Sequence, residues 1–120
     1  MPAPAPTEIT LHQKSQVLEI SFADGKTFRL AAEFLRVHSP SAEVRGHGPG
    51  QEVLQVGKKD VQIVAVDPVG QYAIQPRFSD GHDTGIYSWD LLYDLGERQD
   101  TMWQQYLGRL REAGASREAK

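Results

Sequence analysis

Apolar residues in this chain repeat at a period of two through most of its length, then change once to a helical period near the C-terminal end. That single change predicts strands first and helices last, because alternating side chains line one face of a strand while i, i+3, i+4 spacing lines one face of a helix. Ile9 and Leu11 alternate with polar residues, Gln13-Lys14-Ser15-Gln16 turns the chain, and Leu18, Ile20 and Phe22 alternate again. Asp24-Gly25 predicts a hairpin with a type I′ turn, which needs positive φ at both positions. Phe28 and Leu30 resume the apolar face, giving a three-strand antiparallel meander with one solvated side. Further strands are expected at Val53–Val56, Val61–Val66 and Tyr72–Phe78, with turns at Gly57–Asp60 and Asp67–Gly70. Pro76 has no amide hydrogen to give a ladder, so an edge strand or a strand end is expected there.

Ala31–Val37 is compatible with a short helix that carries Phe34 and Leu35 to the core. Ser39–Gly50 reads as a loop, carrying Pro40, Gly46, Gly48, Pro49 and Gly50. After Tyr87, Ser88 is a suitable N-cap, with Asp90 in the first turn favoured by the helix dipole. Trp89, Leu92 and Tyr93 form one stripe; Trp103, Tyr106, Leu107 and Leu110 form another beyond Gly96, so one kinked helix and two helices fit equally well. The expected class is α+β, an antiparallel sheet built from hairpins or a meander, with C-terminal helices packed on one face. A length of 120 residues bounds the chain to one domain. A Pro/Ala leader at residues 1–6 is expected to be disordered, residues 7–112 to form the domain, and the charged tail 113–120 to fray.

Composition excludes several functions. The formal charge of −3 sets up no basic field for nucleic acid or an anionic membrane. The absence of cysteine removes disulfides, thiolate zinc sites, cysteine-ligated clusters and a cysteine nucleophile from this chain. Met1–Pro6 has neither the basic nor the apolar region of a signal peptide, and no apolar run approaches the ~18 residues of a membrane span. A cytoplasmic monomer or dimer is expected.

Chemistry concentrates in two stretches. Phe78–Trp89 carries Asp80, His82, Asp83, several hydroxyls and two glycines between a strand and a helix. Asp80 and His82 are close enough to share a cation, and imidazole suits proton transfer, although Asp-Gly is also an ordinary turn. Leu35–Gly50 concentrates Arg36, His38, Arg45 and His47, with Ser39, Ser41 and glycine-freed amides able to complete an anion site. No P-loop, nucleophile elbow or base-stacking platform accompanies either stretch.

Phe34-Leu35-Arg36-Val37, Ser39 to Gln51 and Phe78 to Trp89 together resemble the gamma-butyrobetaine hydroxylase-like N-terminal domain family (DUF971). The resemblance runs over residues 9 to 96. In the large oxygenases of that family the domain is an accessory, dimer-forming module ahead of a catalytic jelly roll, with a zinc site of three cysteines and one histidine. By that match Ser39, Ser41 and Val44 stand at the cysteine positions and His82 at the histidine. The family also includes the tail of ATPases that assemble iron–sulfur clusters.

The resemblance therefore implies a non-catalytic accessory or interaction module, in iron–sulfur or metal-protein assembly. The chain ends before any catalytic domain, so hydroxylase activity is not implied. A protein partner or a homodimer is expected, with no resident cofactor. The expected surface is Arg36, Ser39, Ser41, Arg45, His47 and Asp80, with Tyr87 closing the rim. The alternative is an iron- or zinc-binding oxidoreductase subunit using His82 and Asp80, in which binding would be weak.

Overall fold

The structure, a computed structural model, describes residues 3–46 and 52–118. Its class is α+β. The first sheet is the expected meander: β1 (Pro6–His12), β2 (Val17–Phe22) and β3 (Thr27–Ala31) pair antiparallel in that order. Leu18, Ile20 and Phe22 on one face of β2 are at most 2% exposed, which is the consequence of the period-two pattern. The β2–β3 turn is not type I′. Among its residues only Gly25 has positive φ (+89°); its N–H donates to Phe22 O, and Phe22 N–H donates to Lys26 O. A left-handed glycine closing the turn lets the Asp24 carboxylate accept from the Lys26 amide at 3.0 Å.

A second three-stranded antiparallel sheet, rather than an extension of the first, holds β4 (Ile63–Val69), β5 (Ala73–Phe78) and β6 (Tyr87–Ser88). β4 runs through Asp67-Pro68-Val69, so the turn falls at residues 70–72 and not at Asp67–Gly70. β4 is an edge, and Pro68 is tolerated there. Pro76 lies in the middle strand, yet β6 reaches only Ala73 and Ile74, so at Pro76 the ladder has β4 as its only partner. The edge character expected of Pro76 is thus local.

Val53–Val56 forms no strand. The Val53 amide donates to Val44 O at 2.7 Å and Gln55 O accepts from the Tyr106 hydroxyl at 2.7 Å, so this segment spends its backbone groups on helices instead. Gln16, at positive φ (+54°), ties the two sheets together. Its carbonyl accepts from Ala32 N–H, and its Oε1 accepts from Ile63 N–H at 2.7 Å.

α1 (Ala32–Val37) follows β3 directly, and a four-residue α2 (Ala42–Arg45), capped by Ser41, interrupts the expected loop. The C-terminal segment is two helices, α3 (Trp89–Glu97) and α4 (Gln99–Glu112). Ser88 caps α3 by accepting from Leu91 N–H at 3.1 Å. The break comes at Arg98. Gly96 lies within α3, and the Phe28 ring packs over it where a Cβ would sit 2.3 Å from Phe28 Cγ. Phe22, Phe28 and Tyr93 meet edge-to-face with centroids 5.1–5.9 Å apart, fixing α3 on the first sheet.

Within the described residues, both terminal segments contact the domain. Ala5 O accepts from Ala23 N–H, and Ala3 N–H donates to Asp90. The tail docks through Gly57 N–H to Ser116 O and Lys59 N–H to Arg117 O. Arg117 also grips the buried Glu33 carboxylate with both ends of its guanidinium, at 2.7 and 2.8 Å, and stacks over Trp103. A buried carboxylate needs such a partner, and that requirement anchors the tail. Among the described residues, no helix is long and apolar enough to cross a membrane.

Candidate functional site

The two chemistry-bearing stretches meet. α1 delivers Arg36, the turn after β5 delivers Asp80 and His82, and Ser39 and Ser41 lie between α1 and α2. Arg36 Nε donates to Asp80 Oδ2 at 2.8 Å, and Lys58 Nζ reaches the same oxygen at 2.6 Å. Asp80 Oδ1 accepts from the His82 amide at 3.1 Å, which closes the turn whose Gly81 has φ +89°. Partial burial opposes charge on Asp80, but Lys58, the His82 amide and Arg36 outweigh it and hold the carboxyl down at about 2.

His82 is enclosed, its side chain 4% exposed. Its Nδ1 lies 2.9 Å from Glu43 Oε2 and its Nε2 lies 2.8 Å from Ser39 Oγ. Burial first, and Arg36 second, push its proton affinity down against the pull of Glu43 and Asp80. In the neutral form that this favours, Nδ1–H donates to Glu43 and Nε2 accepts from the Ser39 hydroxyl. The other hydrogen bonds agree with that assignment. Ser39 Oγ accepts from Ser41 N–H at 3.2 Å, Ser41 Oγ caps α2 and meets Thr84 Oγ1 at 2.7 Å, and the Thr84 hydroxyl donates to Glu43 Oε2 at 3.0 Å. Every side-chain polar atom of Ser39, Ser41, His82 and Thr84 has a partner inside the bracket.

The sequence carboxylate–imidazole–hydroxyl is the order of a hydrolase triad. Here it has no substrate access. Ser39 is 0% exposed, and Gly85 backs onto it so closely that a Cβ would lie 2.5 Å from its Oγ. No carbonyl can approach that hydroxyl, so Ser39 orders the loops and does not attack.

Several residues expected on a binding surface are interior. Tyr87 does not close a rim; it is 0% exposed, its hydroxyl donates to Leu35 O, and burial raises its proton affinity. Ser39, Arg36 and Ser41 are also buried, at 0%, 7% and 8%. Alternation put Tyr87 beside a polar loop, but β6 turns its ring inward. Asp80 is partly exposed and spent on two cations. Arg45 is exposed and stands apart from the bracket, while His47 lies outside the described residues. Lys58, Glu43 and Thr84 were not anticipated as members, because only the fold brings them within reach. Gly85 was the available clue, a glycine where two chain segments nearly touch.

The donor set does not suit the family's zinc. Serine hydroxyls replace thiolates at Ser39 and Ser41, Val44 offers no donor, and the His82 nitrogens are already engaged. Among the described residues, no three His, Cys, Asp or Glu side chains gather as a metal site.

Beside the bracket opens a cleft of about 700 Å³ between the α1–α2 corner, the Glu52–Gln55 segment and α4. Val37, Val44, Val53 and Met102 give it apolar walls; His38, Arg45 and Arg109 give it polar ones. His38 Nδ1–H donates to Phe34 O at 2.9 Å, leaving Nε2 a buried acceptor with no partner among the described residues. Burial lowers the proton affinity of His38; its bond to the Phe34 carbonyl opposes this, and Arg109 and Arg45 add to the lowering.

Comparison with known proteins supports the same architecture. A protein known from an NMR solution structure superimposes with a TM-score of 0.85 at 48% identity, over 98% of this chain and 93% of that one. A second NMR solution structure gives 0.82 at 55% identity, over 97% and 86%. A crystal structure of a DUF971 protein of unknown function from Acidithiobacillus ferrooxidans gives 0.64 at 44% identity, over 76% and 91%. No curated protein matches the chain. The sequence pattern of the gamma-butyrobetaine hydroxylase-like N-terminal family covers residues 9–93. That match spans most of the chain, which makes it a member of the gamma-butyrobetaine hydroxylase-like N-terminal (DUF971) family.

Proposed function

We propose that this chain is a small non-catalytic accessory module that works by holding a protein partner. The observation that carries the reading is the fate of its reactive groups. Ser39, His82 and Tyr87 are buried and bonded within the fold, while two exposed arginines, Arg45 and Arg109, with no ion-pair partner among the described residues, line the neighbouring cleft. Such a division suits a rigid support for recognition and suits turnover poorly. Family context suggests iron–sulfur or metal-protein assembly as the setting. There the chain would act by contact with the assembling proteins, because it has no thiolate to carry a metal.

The test uses untagged purified protein. It is immobilised, challenged with extract, and any captured protein is then purified and rebound, with bound metal measured in parallel. A direct complex at near-equal stoichiometry with metal-free protein supports the module. Stoichiometric iron or zinc lost in His82→Gln and Asp80→Asn would instead support the metal-binding reading and overturn this one.

A further inference from the structure

Eight arginines are present in this chain, and five of them, Arg29, Arg36, Arg77, Arg98 and Arg117, are ion-paired. Of the other three, Arg45, Arg109 and Arg111, the first two line the same cleft. They come from different elements, α2 and α4, about sixty residues apart in sequence, so no local pattern explains their meeting. One carboxylate, Glu52, shares the cleft, which leaves the lining cationic in a chain of net charge −3. Between the arginines the walls are apolar, and Val53 remains 53% exposed. The buried Nε2 of His38 is an acceptor still lacking a donor among the described residues.

We infer that this cleft is the docking site for an acidic segment of a partner protein that inserts an apolar side chain between Arg45 and Arg109. The inference rests on the interaction-module reading and names the chemistry of the partner. Charge complementarity selects the segment: its carboxylates pair with two guanidiniums that have no ion-pair partner among the described residues. The volume selects the anchor. A cleft of about 700 Å³ has room for one or two large apolar side chains of a peptide, and the Val37, Val44, Val53 and Met102 walls supply their contacts. Met102 adapts to branched or aromatic anchors alike. A peptide amide or hydroxyl would also bring donors to the His38 edge of the cleft. A second copy of this chain has less to recommend it, since among the exposed large apolar residues Val53 lines the cleft while Ile9, Val56, Val64, Tyr72 and Ile86 lie outside it.

The experiment pans a random dodecapeptide display library against the wild-type chain, with Arg45→Glu/Arg109→Glu protein as the counter-selection. Enriched peptides are resynthesised with a fluorophore and titrated by anisotropy. The expected result is enrichment of peptides with acidic residues flanking one bulky apolar residue. Replacing the acids by their amides should weaken binding about tenfold or more, as should replacing the anchor by serine. Arg45→Ala and Arg109→Ala should each cost roughly three- to tenfold, Arg111→Ala should cost nothing, and rising salt should weaken the wild type.

Enrichment of basic or uncharged peptides would overturn the inference, as would acidic peptides that bind the counter-selected variant equally well. Tight binding of an aliphatic carboxylate alone, or concentration-dependent dimerisation abolished by Arg45→Glu/Arg109→Glu, would also overturn it. Thermal melts of each variant establish folding, and the salt series on wild type needs no variant. If a captured partner binds the wild type and the Arg45→Glu/Arg109→Glu variant alike, the module reading stands and the cleft assignment falls. If no partner can be reconstituted at all, the module reading itself falls.

Discussion

The bracket and the cleft lie side by side, meet at Ser39, and treat charge in opposite ways. In the bracket, Asp80 is matched by Arg36 and Lys58, and His82 is held between Glu43 and Ser39. In the cleft, Arg45 and Arg109 have no ion-pair partner among the described residues, and the His38 acceptor has no donor there; in the bracket the one such side-chain atom is Arg36 Nη1, on a guanidinium whose charge Asp80 matches. Charges that face inward must be compensated because an isolated buried charge is expensive. Charges that face water cost little to leave open, and there they remain free to recognise something else. Polar residues dense in sequence are thus a poor guide to function here, since the denser of the two clusters is the one that closes on itself.

Removing the bracket's anion is the most severe way to break this contrast. Asp80→Ala leaves the nearly buried Arg36 uncompensated and releases the His82 amide, so a loss of about 3 kcal/mol is expected in urea unfolding. A loss below about 0.5 kcal/mol would show that the bracket is no more structural than a surface pair. The acid limb offers an independent check. The Asp80 carboxyl is held below its unfolded value, so its contribution is present above pH 4 and is lost as pH falls from 3.8 to about 2.

Overpacking comes next. Gly85→Ala drives a methyl group against Ser39 Oγ and should cost about 2 kcal/mol. A neutral result would mean that the two loops can part and that Ser39 is reachable after all.

A smaller effect is expected near neutral pH. Folded His82 and His38 both bind protons less readily than in the unfolded chain. Their contribution is complete above about pH 6.5 and is lost as pH falls below it, because the unfolded state then binds more protons. Urea midpoints should decline from pH 7.5 to 5, and His82→Gln should flatten that decline. An unchanged slope would assign the effect to His38 alone.

The smallest expected effect falls on the cleft. Arg45→Ala and Arg109→Ala should each change stability by less than about 0.5 kcal/mol. A larger loss would show that these arginines are structural, and the contrast with the bracket would collapse.

Much of the fold was legible in the sequence because it is written in periodicity. Leu18, Ile20 and Phe22 announced β2, and Trp89, Leu92 and Trp103 announced the helices. Features set by close approach were not legible. Gly96 read as an interruption because glycine weakens helices, yet it is there to admit the Phe28 ring. Val53–Val56 read as a strand because nothing local shows that Val44 and Tyr106 claim its backbone. The same limit explains the site. Asp80 and His82 were visible as polar residues, but Lys58, Glu43 and Thr84 become their partners only after the turn at Gly81 and the corner at Ser41 have formed. Tyr87 shows the converse, since a tyrosine beside a polar loop gives no sign of which way its ring faces.

The grip of Arg117 on Glu33 has a consequence for biogenesis. These residues are 84 positions apart, so at ordinary elongation rates of about 5–20 residues per second the glutamate waits on the order of ten seconds for its arginine. Until then α1 cannot bury that carboxylate without an unpaired charge, and α1 is the element that sets both Arg36 and Leu35. The corner from which bracket and cleft are built therefore depends on a residue far along the chain. A chain cut before Arg117 would keep the meander but leave the Glu33 carboxylate at this corner without its guanidinium.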